Sequence, residues 1–338
     1  MNPPVDPLAN APRSVTIGRS PTPGRYPTVR AGTLPPRPRR FRLQIRKLFA
    51  LPGANISFEF FPPKDGDAEA TLFRDVVPAL KGLGPRFFSV TYGAGGGTRD
   101  TTLRVVHRIR KDFGVEAMAH LTCVGSTQDM LAAVLDEALS LGIDNILCLR
   151  GDPPKGQTTF QAVEGGFANA VDLIRFVKSR HNVGIGAACY PEGHIECPDK
   201  QLDWDRAAAK VEAGADFLIT QLFYDERHFL DMEHYLRTKR QVKVPIIPGI
   251  LPILNTAQIK RFTTLCGATV PPALMSRLEA HAGNDEAVRQ IGVDSATEMC
   301  RRLLDHGVPG FHFYCLNRVA SARDVITNLK LEKKSNVA

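Results

Sequence analysis

The chain has 338 residues, of which 43% are hydrophobic and 23% are charged, and its formal net charge is +8. This composition is typical of a globular protein, and no apolar run approaches the ~20 residues of a membrane-spanning helix. Residues 1–50 hold nine arginines and Lys47 against Asp6, a net charge of +9, which leaves −1 for the rest of the chain. Because a nucleic-acid-binding protein carries Lys and Arg on its folded body, the charge does not indicate that function.

Residues 1–40 are predicted to be a disordered Pro/Arg-rich extension, because they contain ten prolines and no apolar periodicity. Their Arg-rich, acid-poor composition resembles an organelle-targeting peptide, but prolines disfavour the amphipathic helix that such peptides form. We favour a plain extension or an upstream start codon, and a cytoplasmic protein. Residues 41–325 are predicted to form one barrel domain, and residues 326–338 a C-terminal tail.

In chain order, a short helix within residues 42–51 is expected to pack against the bottom of the fold, and eight strands then alternate with helices. The strands are predicted over residues 56–61, 87–92, 117–123, 145–151, 184–190, 217–223, 245–251 and 310–316. The helices are predicted over residues 69–83, 101–113, 126–141, 167–181, 201–213, 226–239 and 256–265, with two more within 271–307. This alternation is typical of an α/β protein with a single (β/α)8 TIM barrel of roughly 250 residues.

Polar side chains that a buried strand does not need stand at or near the ends of these predicted strands. They are Glu59, Thr91, His120, Asp152, Tyr190, Gln221 and Tyr314. Because the active site of such a barrel lies at the carboxyl ends of its strands, the sequence predicts an active site there.

Two of the strands carry a polar face opposite a pair of phenylalanines. Side chains alternate along a strand, so Ser57 and Glu59 share the interior face, and His312 and Tyr314 share it on the last strand. A carboxyl group in the barrel interior is costly to ionise, which favours a general acid; a Glu paired with a buried cation is the alternative. Since the first and last strands are neighbours in a closed barrel, His312 is expected to hydrogen-bond Glu59 or Ser57. The alternative is a core histidine.

Two segments that follow strands suit an organic cofactor. After the fourth strand, Gly151 allows close approach of a ligand, Arg150 can bind phosphate or a ring carbonyl, and Asp152 can accept from a ring N–H. A tight turn with a surface ion pair is the alternative there. After the fifth strand, an aromatic ring, a histidine and three charges on one helix face suit a ribose-diphosphate ligand, although helices often carry such charges. These residues are Tyr190, His194, Asp203, Arg206 and Lys210.

Other patterns argue against several chemistries. The glycine-rich run 93–97 is interpreted as a flexible loop, because Thr98 replaces the last glycine of a dinucleotide fingerprint and no P-loop ending follows. The seven scattered cysteines, none in a CxxC pair, indicate reduced core residues and neither disulfides nor a zinc site. The sequence shows no metal-ligand cluster, nucleophile elbow or mid-strand lysine. The chemistry that these patterns do not exclude is acid–base chemistry on an organic cofactor.

Each strand carries a distinct motif. The motifs are SFEFFPP at 57–63, SVTYGAGG at 89–96, HLTC at 120–123, LRGDPP at 149–154, YPEGH at 190–194, ITQLFYD at 219–225, PGILP at 248–252 and FHFYCLNR at 311–318. Together they resemble the methylenetetrahydrofolate reductase family of flavin-dependent barrel enzymes over roughly residues 50–320. The resemblance implies that NADH or NADPH reduces 5,10-methylenetetrahydrofolate to 5-methyltetrahydrofolate through FAD, with ping-pong kinetics, for methionine synthesis. It also implies a homo-oligomer, with neither nucleic acid nor membrane as a partner.

The same resemblance implies a role for each matching position. The catalytic positions are Glu59, Ser57, His312 and Asp152. Glu59 would be the general acid that opens the methylene bridge of the folate, and Asp152 would lie between flavin and folate. The substrate positions are Glu59, Gln221, Phe262 and Tyr314, of which Phe262 would stack on the nicotinamide or the folate. The FAD positions are Thr91, His120, Arg150, Gly151, Asp152, Tyr190, His194, Asp203, Arg206 and Lys210.

One departure from the family keeps other functions open. Where bacterial members have Asn and Arg facing the FAD diphosphate or adenine, this chain has Arg206 and Ala209. Arg206 is expected to take over the lost charge from one turn away. If it does not, a flavin-independent folate oxidoreductase, or a folate-dependent barrel methyltransferase or lyase, is the alternative. The non-enzyme alternative is a barrel scaffold whose basic extension binds nucleic acid or an anionic membrane.

Overall fold

The computed structural model describes residues 43–92, 98–153, 156–157 and 159–331. The predicted extension over residues 1–40, the glycine-rich run 93–97 and residues 332–338 of the predicted tail lie outside the described residues. None of the helices in the described ranges is both long enough and apolar enough to span a membrane.

Parallel strands form one sheet that curls into a nearly closed barrel, which confirms the predicted fold class. The strands are β1 (Asn55–Phe60), β2 (Phe87–Val90), β3 (Glu116–Thr122), β4 (Asn145–Leu149), β5 (Gly184–Cys189), β6 (Phe217–Thr220), β7 (Ile246–Ile247), β8 (Gly249–Ile250) and β9 (Gly310–Tyr314). Their order is β7-β6-β5-β4-β3-β2-β1-β9-β8. The predicted strand over 245–251 is split into β7 and β8 at Pro248, because a prolyl nitrogen cannot donate to the ladder. β7 pairs with β6 and β8 with β9, so the two halves together fill the eighth position of the ring.

Helices link the strands close to their predicted positions. They are α1 (Ile45–Leu48), α2 (Gly66–Thr71), α3 (Val77–Lys81), α4 (Arg99–Phe113), α5 (Gln128–Ser140), α6 (Ala170–Arg180), α7 (Lys200–Glu212), α8 (Glu226–Thr238), α9 (Thr256–Cys266), α10 (Pro272–Ala280), α11 (Asp285–His306) and α12 (Ala320–Asn328). A π-helical turn, Leu72–Val76, joins α2 to α3. α12 continues past the domain boundary predicted at residue 325, because Val325 and Ile326 are buried against the core.

The predicted alternation along the first and last strands is confirmed. Phe58 and Phe313 point outward under the helices, with ring centroids 5.8 Å apart, and both are fully buried. Ser57 pairs with His312 and Glu59 with Tyr314 in the parallel register of β1 and β9. The polar side chains of both strands therefore share the barrel interior.

The short helix α1 closes the amino-terminal end of the barrel, as predicted. Asn145, at the start of β4, accepts from the Ile45 amide at 2.8 Å and donates to the Leu43 carbonyl at 3.1 Å. The ring of Phe49 packs on Phe217 at 5.2 Å and edge-on to Phe87 at 6.4 Å. Apolar side chains therefore fill the lower part of the barrel interior. All seven cysteines are free thiols, and six of them are buried, in agreement with the sequence.

Candidate active site

Three strands bring one acid and two histidines together in the barrel mouth. Glu59 lies near the end of β1, His120 lies on β3 and His312 lies on β9. Glu59 Oε2 is 3.4 Å from His120 Nε2 and 3.5 Å from His312 Nε2. The Glu59 side chain is 14% exposed, whereas the two histidine side chains are 5% and 0% exposed, so only the acid is open to the mouth. No Lys or Arg in the described ranges forms an ion pair with Glu59.

The ring of His312 is held on both edges by serine hydroxyls. Ser57 Oγ lies 2.7 Å from Nδ1, and Ser89 Oγ lies 3.2 Å from Nε2. Ser57 Oγ also lies 3.2 Å from the Phe311 carbonyl, to which its O–H can donate. In that arrangement Ser57 accepts from the Nδ1–H of the imidazole, and in this tautomer Nε2 can accept from Ser89.

Ser89 was missed by the sequence reasoning. It is the one polar side chain of β2, a strand whose four residues are all buried. That polar residue within an otherwise apolar strand was the available signal. Its contact with His312 spans across β1, since Ser89 pairs with Glu59 on one side and His312 pairs with Ser57 on the other.

His120 is neutral near physiological pH. Burial lowers its pKa from 6.5 to about 4, and the nearby Glu59 charge opposes that lowering only in part. Its Nε2 is within 3.4 Å of Glu59 but is not aligned for a hydrogen bond. A neutral imidazole is a weaker electrostatic partner for a carboxylate than a cation is, so His120 and Glu59 do not form a charged pair near physiological pH.

The predicted substrate residues line the mouth beside this cluster. The Tyr314 hydroxyl donates to the Thr220 carbonyl at 2.6 Å, and burial raises its pKa well above the ordinary value, with the Glu59 charge adding to the effect. Phe262, on α9, packs in an apolar cluster with Leu222, Leu251 and Tyr314. Gln221 Oε1 accepts from the next backbone amide at 2.9 Å, and its side chain is half-buried at the end of β6.

The segment after β4 contains an ion pair, which the sequence analysis gave as the alternative interpretation of this segment. Arg150 donates twice to Glu196, at 2.6 and 2.9 Å, and its guanidinium lies 5.0 Å from the centre of the Phe160 ring. Gly151 has a φ of +90°, and a Cβ there would meet Thr122 Cβ at 3.1 Å, so glycine is required. Asp152 is exposed at the mouth.

The segment after β5 and the helix α7 form a second polar group. The Tyr190 ring is 4.7 Å from the His194 ring and 5.7 Å from Lys210 Nζ. Burial raises the pKa of Asp203 despite the Lys210 charge, and burial lowers the pKa of Lys210, whose ammonium donates to the Ala188 carbonyl at 2.7 Å. The exposed Arg206 adds a positive charge beside both. The remaining predicted FAD residue, Thr91, is half-buried at the end of β2 and accepts from Thr102 through its carbonyl.

Three buried polar atoms on these strand ends and on α7 have no hydrogen-bond partner in the described part of the chain. They are His120 Nε2, Thr122 Oγ1 and Asp203 Oδ2. A buried polar atom without a partner is costly, so donors and acceptors of a bound ligand are the expected complement. The donor set, with an acid, a base and a close-approach glycine, fits a large polar cofactor such as FAD.

Comparison with known proteins gives one consistent relationship. The methylenetetrahydrofolate reductase family model matches residues 44–330. Methylenetetrahydrofolate reductase (NADH) 1 of Arabidopsis thaliana is 41% identical over 295 residues, which cover 83% of this chain and 49% of the relative. The 5,10-methylenetetrahydrofolate reductase of Salmonella typhimurium is 38% identical over 269 residues, which cover 78% of this chain and 86% of the relative. The chain thus spans about half the length of the plant relative and most of the bacterial one.

A solved structure shares the architecture at lower identity. It is an uncharacterized protein from Clostridium thermocellum that binds two copies of 5-methyl-5,6,7,8-tetrahydrofolic acid. Its TM-score is 0.59 at 18% identity, over 85% of this chain and 98% of that one, which shows a common fold. The family match covers the whole barrel, from α1 to the end of α12, and the chain belongs to the methylenetetrahydrofolate reductase family.

Proposed function

We propose that this protein reduces 5,10-methylenetetrahydrofolate to 5-methyltetrahydrofolate with NADH or NADPH, using FAD, and so supplies methyl groups for methionine synthesis. The observation that carries the proposal is the setting of Glu59, a partly exposed acid between two buried histidines in the barrel mouth. The names of the relatives support the reaction, and the name of the plant relative favours NADH as the first co-substrate to test.

Glu59 is proposed to be the general acid. Opening the methylene bridge requires a proton on the nitrogen that leaves the bridging carbon, and hydride then reduces the iminium carbon. Glu59 faces the mouth beside the neutral His120. His312, held by Ser57 and Ser89, places Nε2 3.5 Å from the same carboxyl oxygen.

The second polar group is proposed to hold FAD together with residues at the ends of β2, β3 and β4. The proposed residues are Thr91, His120, Arg150, Gly151, Asp152, Tyr190, His194, Asp203, Arg206 and Lys210. The unpartnered Asp203 oxygen, beside Lys210 and Arg206, supports a polar ligand at α7. Bound FAD would supply hydride transfer between the nicotinamide and the folate, and the two substrates are proposed to use the site in turn. Gln221, Phe262 and Tyr314 would contact each substrate in the mouth.

An anaerobic absorbance spectrum tests the proposal directly. The purified protein is expected to show a flavin spectrum that bleaches with NADH or NADPH and returns when methylenetetrahydrofolate is added. The relative bleaching rates give the preferred nucleotide. A colourless protein that binds no added FAD but still reduces the folate would overturn the FAD part in favour of a flavin-independent oxidoreductase. A flavoprotein that the folate does not reoxidise would overturn the reaction itself.

A further inference from the structure

One glutamate of the YPEGH segment has no part in the proposed chemistry. Its contacts join two parts of the barrel mouth that are distant in sequence. Glu192 follows β5, and its side chain is 13% exposed. Both of its carboxylate oxygens accept from the Thr269 amide at 3.1 Å, and Oε2 also accepts from the Thr269 hydroxyl at 2.6 Å. His228 Nε2, at the start of α8, lies 3.5 Å from Glu192 Oε2 and 3.4 Å from Thr269 Oγ1. We call this group, Glu192, Thr269 and His228, the mouth clamp.

The clamp lies at the end of a helix that the core holds weakly. Thr269 comes three residues after α9, and α9 buries one of its eleven residues, Ile259. The preceding helix, α8, buries Phe229, Met232 and Leu236. Because apolar burial fixes most helices in place, α9 depends on contacts at its two ends to a greater degree than α8 does. At its first turn the Asn255 side chain caps the helix. Beyond its last turn Ala268 is buried with Leu222 and Leu251, and Thr269 joins the clamp.

The helix positioned in this way carries a substrate residue. Phe262 lies on α9 and faces the apolar cluster of Leu222, Leu251 and Tyr314. On the other side of the clamp, Tyr190 and His194 flank Glu192 and contact each other at 4.7 Å. A charge-assisted bond to two donors of one residue is short and directional, so it defines a distance between the two segments.

We propose that Glu192 is a positioning residue that docks α9 on the barrel mouth and thereby sets the location of Phe262 for the folate. This inference rests on the proposed function for the identity of the substrate, but the docking of α9 does not depend on it. Weakening the clamp lets α9 move away, so the folate loses its stacking partner in both the bound and the reacting state. Uniform loss of binding raises KM and leaves kcat nearly unchanged.

Two variants and a matched control test the clamp. Glu192→Ala removes the acceptor, and Thr269→Val removes the hydroxyl but keeps the amide and the branched shape. Thr269→Ser keeps both donors and is the control. In Glu192→Ala we expect amide hydrogen exchange over Thr256–Cys266 to quicken at least about fivefold, with α6 unchanged. KM for the folate should rise at least about fivefold, with kcat within about twofold. Thr269→Val should show a smaller change in the same direction, and Thr269→Ser should match the unmodified chain.

Three results would overturn the proposal. Unchanged exchange over α9 in Glu192→Ala would show that the helix is held by other contacts. Faster exchange with an unchanged KM would show that α9 does not position the substrate. Loss of flavin with unchanged exchange would assign Glu192 to the cofactor. If the unmodified chain does not turn over the folate, the proposed function fails, and the exchange measurement still decides whether Glu192 docks the helix.

Discussion

Glu59, the proposed general acid, differs from its histidine neighbours in exposure and in the groups that surround it. Glu59 is the open member of a group in which His120 is buried and neutral and His312 is held by two serines. A Gln at position 59 has the same shape and can still contact both imidazoles, but it has no proton to donate. Glu59→Gln therefore separates binding from proton transfer.

We expect Glu59→Gln to keep its FAD and to oxidise NADH with an artificial electron acceptor at a rate within about twofold of the unmodified chain. Folate reduction should fall by about 10²–10⁴-fold, the usual contribution of a general acid. Stopped-flow absorbance of the two half-reactions distinguishes these effects. Normal folate turnover in this variant would remove Glu59 from the chemistry.

Ser89 gives a second prediction at the same scale. Its hydroxyl is one of two groups that His312 Nε2 can accept from, and the other is a protonated Glu59. Ser89→Ala deletes the competing donor in a fully buried place, so Nε2 interacts with Glu59 alone. The folate half-reaction is expected to slow by about tenfold, roughly 1.4 kcal/mol, with a shifted pH profile. NADH oxidation with the artificial acceptor serves as the control, and an unshifted profile would mean that Ser89 only fills space.

At the scale of elements, ring contacts connect the end of α1 to His312 in the proposed active site. Phe49 contacts Phe87 from below, and the Phe87 ring stacks on His312 from the same side, with centroids 5.8 Å apart and planes 17° apart. The histidine therefore rests on an aromatic floor that α1 closes. That floor keeps water away from the lower face of the His312 ring, which strengthens the hydrogen bonds that the ring makes.

Asn145 is one of the side chains that attach α1. It is fully buried and contacts Ile45, Leu43 and Glu116. Asn145→Ala leaves a backbone amide, a carbonyl and a carboxylate without this partner. The free energy of unfolding should fall by roughly 2–4 kcal/mol. Asn328→Ala, which deletes an exposed amide at the end of α12, should change it by less than about 0.5 kcal/mol. Equal denaturation midpoints for the two variants would contradict the role given to Asn145.

At the scale of the whole molecule, the sequence predicts what depends on local period and strand adjacency. Alternation placed Ser57 and Glu59 inside, and barrel closure brought His312 to them. Contacts between segments that are distant in sequence and meet across the barrel could not be predicted. Ser89 reaches His312 over an intervening strand, and Arg150 is paired with a glutamate on the next loop. The geometry of such pairs is set by sheet register and loop path, which no single segment encodes.

The pH dependence of stability is a prediction for the entire fold. Burial lowers the pKa of His120 from 6.5 to about 4, so between these values the unfolded chain binds more protons at this site than the native chain does. Stability therefore falls as the pH drops through this window, by roughly 3 kcal/mol near pH 4 at ~1.36 kcal/mol per pH unit, and the loss is absent above pH ~7. His120→Gln is neutral at every pH and should lack this component. Urea midpoints at pH 7 and pH 4.5 for both proteins measure it as a difference, which cancels the contributions of Asp203 and Glu116. Parallel losses in the two proteins would mean that burial does not keep His120 neutral in the native barrel.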